Sequence, residues 1–381
     1  MPADYNKEAI ELHKKHHGKI EIGIKVPLES REDLSRAYTP GVAEICREIA
    51  RDPALGREYT MKHNMVAIIT DGSAVLGLGN LGPLAALPVM EGKAAIFKKF
   101  GGVDCFPICL DTQDTEEIIK TIKLIAPVFG AINLEDISAP RCFEIEERLR
   151  KELTIPVMHD DQWGAATVCV AALINALRVR GLTPTNARIV ISGVGASGVA
   201  TGRLLLSYGA KNLIFCDSQG IVHPGRRDLT KEKIELLNGS AIKPEAGYLA
   251  DAVKGANVFI GLSRALTLTG AMIKTMADRP IVFGMANPTP EIMPEEAKAA
   301  GAFIVATGRS DYPNQINNSL CFPGAFRGML DLGGQRQFSN DVFLKIAQAL
   351  ADSLQKPTVD KIIPSMFDSG VAELVTRTIK G

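Results

Sequence analysis

Ala187-Arg-Ile-Val-Ile-Ser192, followed by Gly193-Val-Gly195-Ala196-Ser197-Gly198-Val-Ala200 and then by Asn212-Leu-Ile-Phe-Cys216-Asp217, is the passage that decides the fold. An apolar run of strand character leads straight into three glycines spaced G-x-G-x-x-G. They open a helix that the pattern carries to about Tyr208, and a second apolar run ends in an acid about 20 residues further on. Strand before, helix after and acid downstream are the conditions for a dinucleotide-binding Rossmann unit. Gly193 makes the turn, and Gly195 lets the backbone approach a pyrophosphate. Gly198 allows close helix–strand packing. The phosphates then rest on the helix N-terminus at Ala196 and Ser197. Asp217 is placed for both ribose hydroxyls, which favours NAD. Arg226-Arg227 lie nine residues beyond it and reach toward a 2′-phosphate, so NADP stays open.

Outward from this unit the pattern repeats. Asn257-Val-Phe-Ile260 ends at Gly261-Leu-Ser263, Pro280-Ile-Val-Phe-Gly284 leads to Met285-Ala-Asn287-Pro288, and residues 303 to 307 form a last strand. Ser263 and Asn287 would face the nicotinamide side. Asn317 and Asn318 read either as an Asx turn or as a carboxylate-binding pair. Beyond Phe326 the chain looks mostly helical. Toward the N-terminus, an alanine-rich helix over 165–180 closes at Gly181-Leu-Thr-Pro184, the expected linker region. Before it, strands at 65–70, 105–110, 129–134 and 155–158 alternate with helices at 116–126 and 140–152, a second α/β layer. Helices at 6–17 and 41–51 and a strand at 19–26 complete the reading. Gly77, Gly79 and Gly82 also satisfy G-x-G-x-x-G, but Pro83, Pro88 and Gly92 argue against a long helix there. That motif reads as a tight turn near a site. The expected division is a substrate domain over 1–161 and a Rossmann domain of doubly wound parallel sheet over 162–381, with the segment after about 318 packing back on the first.

Three strands of the first layer end in acids: Asp71-Gly72, Glu135-Asp136 and, after His159, Asp160-Asp161. Parallel neighbours would bring these acids to one rim. Carboxylates that close repel unless a cation or a shared proton lies among them, so the rim is a candidate divalent-metal site. Lys93, flanked by Gly92, Ala94, Ala95, Ile96 and Phe97, reads either as a snorkelling lysine or as a base in an apolar setting. Tyr38, before Pro40-Gly41, reads from its neighbours as packing. His13, His16 and His17 read as a solvated helix end ahead of a metal-holding face.

Of 381 residues, 46% are hydrophobic and 23% charged, an ordinary globular mixture. The 43 basic and 43 acidic residues balance, so no global field calls for nucleic acid or an anionic membrane. The seven cysteines are odd in number and lack a C-x-x-C pair, which fits reduced thiols in the cytoplasm. No signal-peptide pattern opens the chain, and the apolar runs fall short of a membrane span.

Taken together, Ser35-Arg-Ala-Tyr-Thr-Pro-Gly-Val-Ala43, Thr70-Asp-Gly-Ser-Ala-Val-Leu-Gly-Leu-Gly-Asn-Leu-Gly-Pro83, Glu91-Gly-Lys-Ala94, Leu134-Glu-Asp-Ile137, His159-Asp-Asp-Gln162, the Gly193–Gly198 motif, Ala286-Asn-Pro288, Asn317-Asn318 and Phe322-Pro-Gly324 resemble the malic enzymes in their short prokaryotic form. The resemblance implies oxidative decarboxylation of L-malate to pyruvate and CO2, with NAD(P)+ reduced and Mg2+ or Mn2+ required. It implies metal ligands at Glu135, Asp136 and Asp161. Lys93 would be the general base on the C2 hydroxyl, paired with Asp160, and Tyr38 the acid that protonates the enolate. Asn287 and Asn318 would hold the substrate carboxylate. It also implies a homodimer, with a site that a second subunit completes in part. Two departures stand out. Ala74 occupies the place of an arginine in the longer members, which leaves Ser73 or the glycine-turn amides to share its role. Trp163 stands where a smaller or more polar residue is expected. The competing readings are an amino-acid or one-carbon dehydrogenase, which needs no three-carboxylate metal site, and a dinucleotide-sensing module without turnover.

Overall fold

The computed structural model describes residues 5–381 and holds two parallel sheets. In the first, β1 (Met65–Thr70), β2 (Asp104–Cys109), β3 (Ala131–Leu134) and β4 (Val157–His159) run in the order β2-β1-β3-β4, every pair parallel. The second contains β5 (Arg188–Ser192), β6 (Asn212–Asp217), β7 (Gly220–Ile221), β8 (Val258–Gly261), β9 (Ile281–Gly284) and β10 (Ile304–Thr307). Its order is β10-β9-β8-β5-β6-β7, and only β7 is antiparallel. From β5 the chain winds first to β6 and then back across to β8. That reversal leaves a crevice at the carboxyl end of β5, where open sheets of this type take their ligands.

The helices are α1 (Tyr5–His16), α2 (Arg31–Ala37), α3 (Val42–Arg51), α4 (Leu55–Tyr59), α5 (Pro83–Gly101), α6 (Thr115–Ile125), α7 (Arg141–Glu152), α8 (Asp160–Arg180) and α9 (Ala196–Ser207), with shorter ones between later strands and a C-terminal group at Phe322–Asp331, Asn340–Asp352 and Val371–Lys380. Local chemistry sets several ends. Asp114 caps α6 by accepting from the Glu117 N–H at 2.9 Å. α8 stops at Gly181, whose φ of 74° is the left-handed cap that glycine supplies without strain. α8 is buried along nearly its whole length, between α9 and the Asn340–Asp352 helix. By length and composition it passes for a membrane span, yet most of its residues are buried in this core. One apolar cluster runs from Val66 and Phe97 through α8 to Ile189 and Phe215, so both sheets share it. The Phe322–Asp331 helix packs against α5, with the Phe97 ring tilted against Phe322 and edge-on to Phe326.

Three sequence expectations fail. Residues 19–26 form no strand. Ile22 and Ile24 are 87% and 78% exposed, so the alternation has no sheet to face. The turn at Gly82 does open a long helix, α5. Pro83 sits in its first turn, where a missing N–H costs nothing. Pro88 frees only the carbonyl of Leu84, an exposed residue of that same turn. Finally, α8 begins at Asp160, not near 165, so the acid pair forms its first turn instead of the loop before it.

Candidate active site

The rim built by β1, β3 and β4 gathers acids around one lysine. Glu135 and Asp136 follow β3 directly, and Asp161 lies in the first turn of α8. One carboxylate oxygen from each lies within 4.8 Å of the others. The Asp136 N–H donates to Asp161 Oδ2 at 2.8 Å, and Asn133 Nδ2 donates to Glu135 Oε2 at 2.9 Å. Asp136 Oδ2 is buried and has no partner within the protein. Burial, then the charges of Asp161 and Glu135, push the Asp136 carboxyl up to about 8. Three carboxylates that bring oxygens this close, one of them carrying an orphaned oxygen, fit a divalent cation such as Mg2+ or Mn2+.

Lys93 comes from the buried face of α5. Its ammonium donates to Glu135 Oε1 and Asp160 Oδ2 in short contacts and sits 4.6 Å from the centre of the Phe322 ring. Burial alone would favour the neutral amine. The charges of Asp160, Glu135 and Asp161 outweigh it and hold the lysine above its ordinary pKa. Burial pushes the Asp160 carboxyl up to about 6, against the pull of Lys93. Asp160 Oδ2 also accepts from Asn318 Nδ2 at 2.6 Å, while its Oδ1 is buried without a partner. Lys93, Glu135, Asp136, Asp160, Asp161 and Asn318 therefore form one cluster, and Asn318 enters it through Asp160.

Other expected residues stand elsewhere. The Ser73 hydroxyl donates to Asp71 Oδ1 at 2.6 Å and accepts from the Ser138 N–H at 2.9 Å and Arg141 Nη2 at 3.0 Å. It is fully used in tying the β1 loop to the loop before α7. Arg141 also pairs with Asp71 at 2.7 Å, so a guanidinium lies beside this turn even though position 74 is alanine. No pattern in the sequence pointed to Arg141, which follows a proline at the head of α7. Asn287 is exposed, and its carbonyl presses on the first glycine turn. A β-carbon at Gly77 would lie 1.9 Å from that oxygen. Tyr38 is 66% exposed, and no hydrogen bond or ion pair among the described residues joins it to the Lys93 cluster. Trp163 turns away from the acids: its Nε1 donates to Glu146 Oε2 at 2.9 Å and its ring stacks on Phe343.

At the second sheet, Gly193 has a φ of 106° and lies against the Leu262 carbonyl. A β-carbon at Gly198 would meet the Gly193 carbonyl at 1.8 Å, whereas Gly195 faces open space. Ser197 Oγ donates to the Asp161 carbonyl at 2.6 Å, which joins the head of α9 to the acid cluster. The Ser263 N–H donates to Glu291 at 2.9 Å, and its hydroxyl is 3.5 Å from that of Ser192. Asp217 is flanked by two cations, Arg226 Nη1 at 2.8 Å and Lys233 Nζ at 2.7 Å. Lys233 escaped notice in the sequence because it follows Asp217 by 16 residues, on a separate helix.

A model of the malic enzyme N-terminal domain matches residues 17–150, and a model of the malic enzyme NAD-binding domain matches residues 163–374. The bifunctional malic/malolactic enzyme of Bacillus subtilis (strain 168) is 49% identical over 376 residues, 98% of this chain and 92% of its own length. An NAD-dependent malic enzyme of Geobacillus stearothermophilus is 52% identical over 370 residues, 95% of this chain and 76% of its own length. The crystal structure of an NAD-dependent malic enzyme from Thermotoga maritima superposes with a TM-score of 0.94 at 45% identity, covering 98% of this chain and 99% of that one. With both domain models matched in order and relatives of about 50% identity covering 95% or more of this chain, the chain belongs to the malic enzyme family.

Proposed function

We propose that the chain oxidatively decarboxylates L-malate to pyruvate and CO2 and reduces NAD+ or NADP+, with Mg2+ or Mn2+ at Glu135, Asp136 and Asp161. The observation that carries this is the buried Lys93 held between Glu135 and Asp160 beside those three oxygens. A bound divalent cation would neutralise the acids that keep Lys93 charged and act as a Lewis acid on the C2 oxygen of the substrate. The chain supplies the proton handling. Once neutral, Lys93 Nζ takes the C2 hydroxyl proton as hydride leaves C2. Asp160 lies within hydrogen-bond contact to receive a proton from it, and its partnerless Oδ1 gives that proton a dry place to rest. Asn318 fixes the Asp160 carboxylate from the other side. The dinucleotide rests on Gly193, Gly195, Ala196, Ser197 and Gly198, with Ser263 and Asn287 on the nicotinamide side. Asp217 takes the ribose hydroxyls of NAD, and its two cations leave NADP within reach.

The proposed assembly is a homodimer in which Tyr38 serves the neighbouring copy. Tyr38 is exposed, and so are Ile22, Ile24, Val26, Leu28 and Leu34 in the segment before it, apolar side chains that a second copy would cover. A mixing experiment tests this part. Tyr38→Phe and Lys93→Ala proteins, each inactive alone, should regain activity when unfolded and refolded together. Activity that stays lost would place Tyr38 in its own subunit's site. A cytoplasmic location belongs to the same proposal, since all seven cysteines are free thiols.

The deciding assay follows reduction of NAD+ and, separately, NADP+ with L-malate, in Mn2+ and in chelator, while pyruvate is trapped. Metal-dependent pyruvate formation is the expected result. Reduction that yields oxaloacetate alone, or no turnover with either cofactor, would overturn the proposal.

A further inference from the structure

α7 carries an apolar stripe, Cys142, Ile145 and Leu149, at the i, i+3, i+7 spacing of a buried helix face. Glu146 fills the i+4 position of that stripe and is only 4% exposed. A carboxylate on the buried side of a helix needs partners. Glu146 has three: the His159 N–H donates to Oε1 at 2.9 Å, and Gln162 Nε2 and Trp163 Nε1 donate to Oε2 at 3.0 and 2.9 Å. Arg150 adds a cation 3.8 Å away. The three donors come from residues immediately before and immediately after Asp160 and Asp161.

We propose that Glu146 is a positioning residue that holds the first turn of α8 from behind and so sets Asp160 and Asp161 together. This rests on the reading above, in which Asp161 serves the cation and Asp160 serves Lys93. Successive residues of an α-helix diverge by about 100°. One small rotation or shift of the helix start therefore moves both carboxylates off their partners at once. Lys93 and Asn318 hold only the Asp160 side chain, the Asp136 N–H holds only the Asp161 side chain, and Ser197 holds only the Asp161 carbonyl. Glu146 alone among the described residues accepts from both flanks of the pair. The same bonds account for Trp163: its indole N–H is one of the three donors, and its ring is anchored on Phe343 with centroids 4.9 Å apart.

The test is Glu146→Gln, alone and combined with Trp163→Phe. The amide keeps the size of the carboxylate but turns one acceptor into a donor. If its oxygen faces His159, its NH2 meets the Trp163 N–H; if it flips, the NH2 meets the His159 N–H. Phenylalanine at 163 keeps the stack and removes the first clash, and the Gln162 amide can flip to accept. Three quantities are measured: the affinity for Mn2+ without substrate, by electron paramagnetic resonance of the free ion; kcat and KM for malate; and the melting temperature. Glu146→Gln should weaken Mn2+ binding about tenfold and lower kcat about tenfold, the usual scale for partners behind a metal site. The double variant should recover most of that loss. A folded Glu146→Gln protein with wild-type Mn2+ affinity and kcat, changed only in melting temperature, would overturn the proposal. If Glu146→Gln does not fold, Trp163→Phe and Gln162→Leu decide: each removes one donor and should weaken Mn2+ binding about threefold, and unchanged binding in both would overturn the proposal. Wild-type protein that neither binds Mn2+ nor turns over malate would instead defeat the reading of the site on which the proposal rests.

Discussion

Two turns in this chain carry the same glycine spacing, and they do different work. Gly193 follows the last residue of β5 directly, whereas Gly77 comes seven positions after the last residue of β1. After Gly198 the backbone is already helical, and the open face of Gly195 leaves the head of α9 accessible to a phosphate. After Gly82 the helix starts on Pro83, which has no N–H to offer an anion. The first turn is also filled from outside, since the Asn287 carbonyl occupies the space that a side chain at Gly77 would need. Spacing alone does not make a dinucleotide cradle. The glycines must sit at the end of a strand and leave N–H groups free; otherwise the same pattern makes a hinge point between two loops.

That contrast can be broken by single substitutions. The largest effect is expected from Gly193→Ala, which combines a left-handed φ with a β-carbon 2.3 Å from the Leu262 carbonyl. NADH should bind about 100-fold more weakly in a fluorescence titration, while Mn2+ binds as before. Equal loss of both ligands would mean that the turns are not independent. Gly77→Ala should do the reverse. Its β-carbon would displace the Asn287 loop, raising KM for malate about tenfold, with only a smaller loss of NADH affinity, about threefold, through Asn287 on the nicotinamide side. A loss of NADH affinity as large as that of Gly193→Ala would make the first turn part of the dinucleotide cradle.

Asp217→Ser sharpens the second region further. It frees Arg226 and Lys233 from their shared carboxylate and removes the charge that opposes a 2′-phosphate. The ratio of kcat/KM for NADP+ over NAD+ should rise about tenfold; an unmoved ratio would place cofactor choice elsewhere. The smallest effect is on stability. Although desolvation opposes it, hydrogen bonding to Arg226 and Lys233 holds the Asp217 carboxyl below its usual value. A lowered carboxyl pKa stabilises the folded state above the unfolded value of about 3.9 and loses that contribution as pH falls through the folded value. Solvent screening keeps it near 1 kcal/mol or less. The difference in melting temperature between wild type and Asp217→Asn should therefore be present at neutral pH and shrink in acid below about pH 3.9. A difference that grows in acid would contradict the assignment.

The buried parts of this molecule were legible in the sequence. Strands such as Ile189–Ser192 and Val258–Gly261 are continuous apolar runs because helices cover both faces of a parallel sheet. The acids were legible because they end such runs. Three things were not. Residues 19–26 alternate like a strand, but neither sheet offers them a pairing edge, and Ile22 and Ile24 stay exposed. Pro83 and Pro88 looked like breakers, although Pro83 falls in the first turn of α5, where a helix tolerates it, and Pro88 gives up only the bond to the carbonyl of the exposed Leu84. Arg141 and Glu146 act across loops and helices, and nothing near them in sequence names their partners. Only the acid on the apolar stripe of α7 gave a local sign.

The connection between the two sheets is itself a helix. α8 has 21 residues, about 30 Å of rod. Asp160 and Asp161 sit at one end, and at the other Arg180 donates to the carbonyls of Asp278 and Arg279, just ahead of β9. A rod carries no slack. The sheets cannot swing on it as on a tether, so any opening of the crevice must pivot at the ends of the rod, and a tilt at the Arg180 end reaches the acids as leverage.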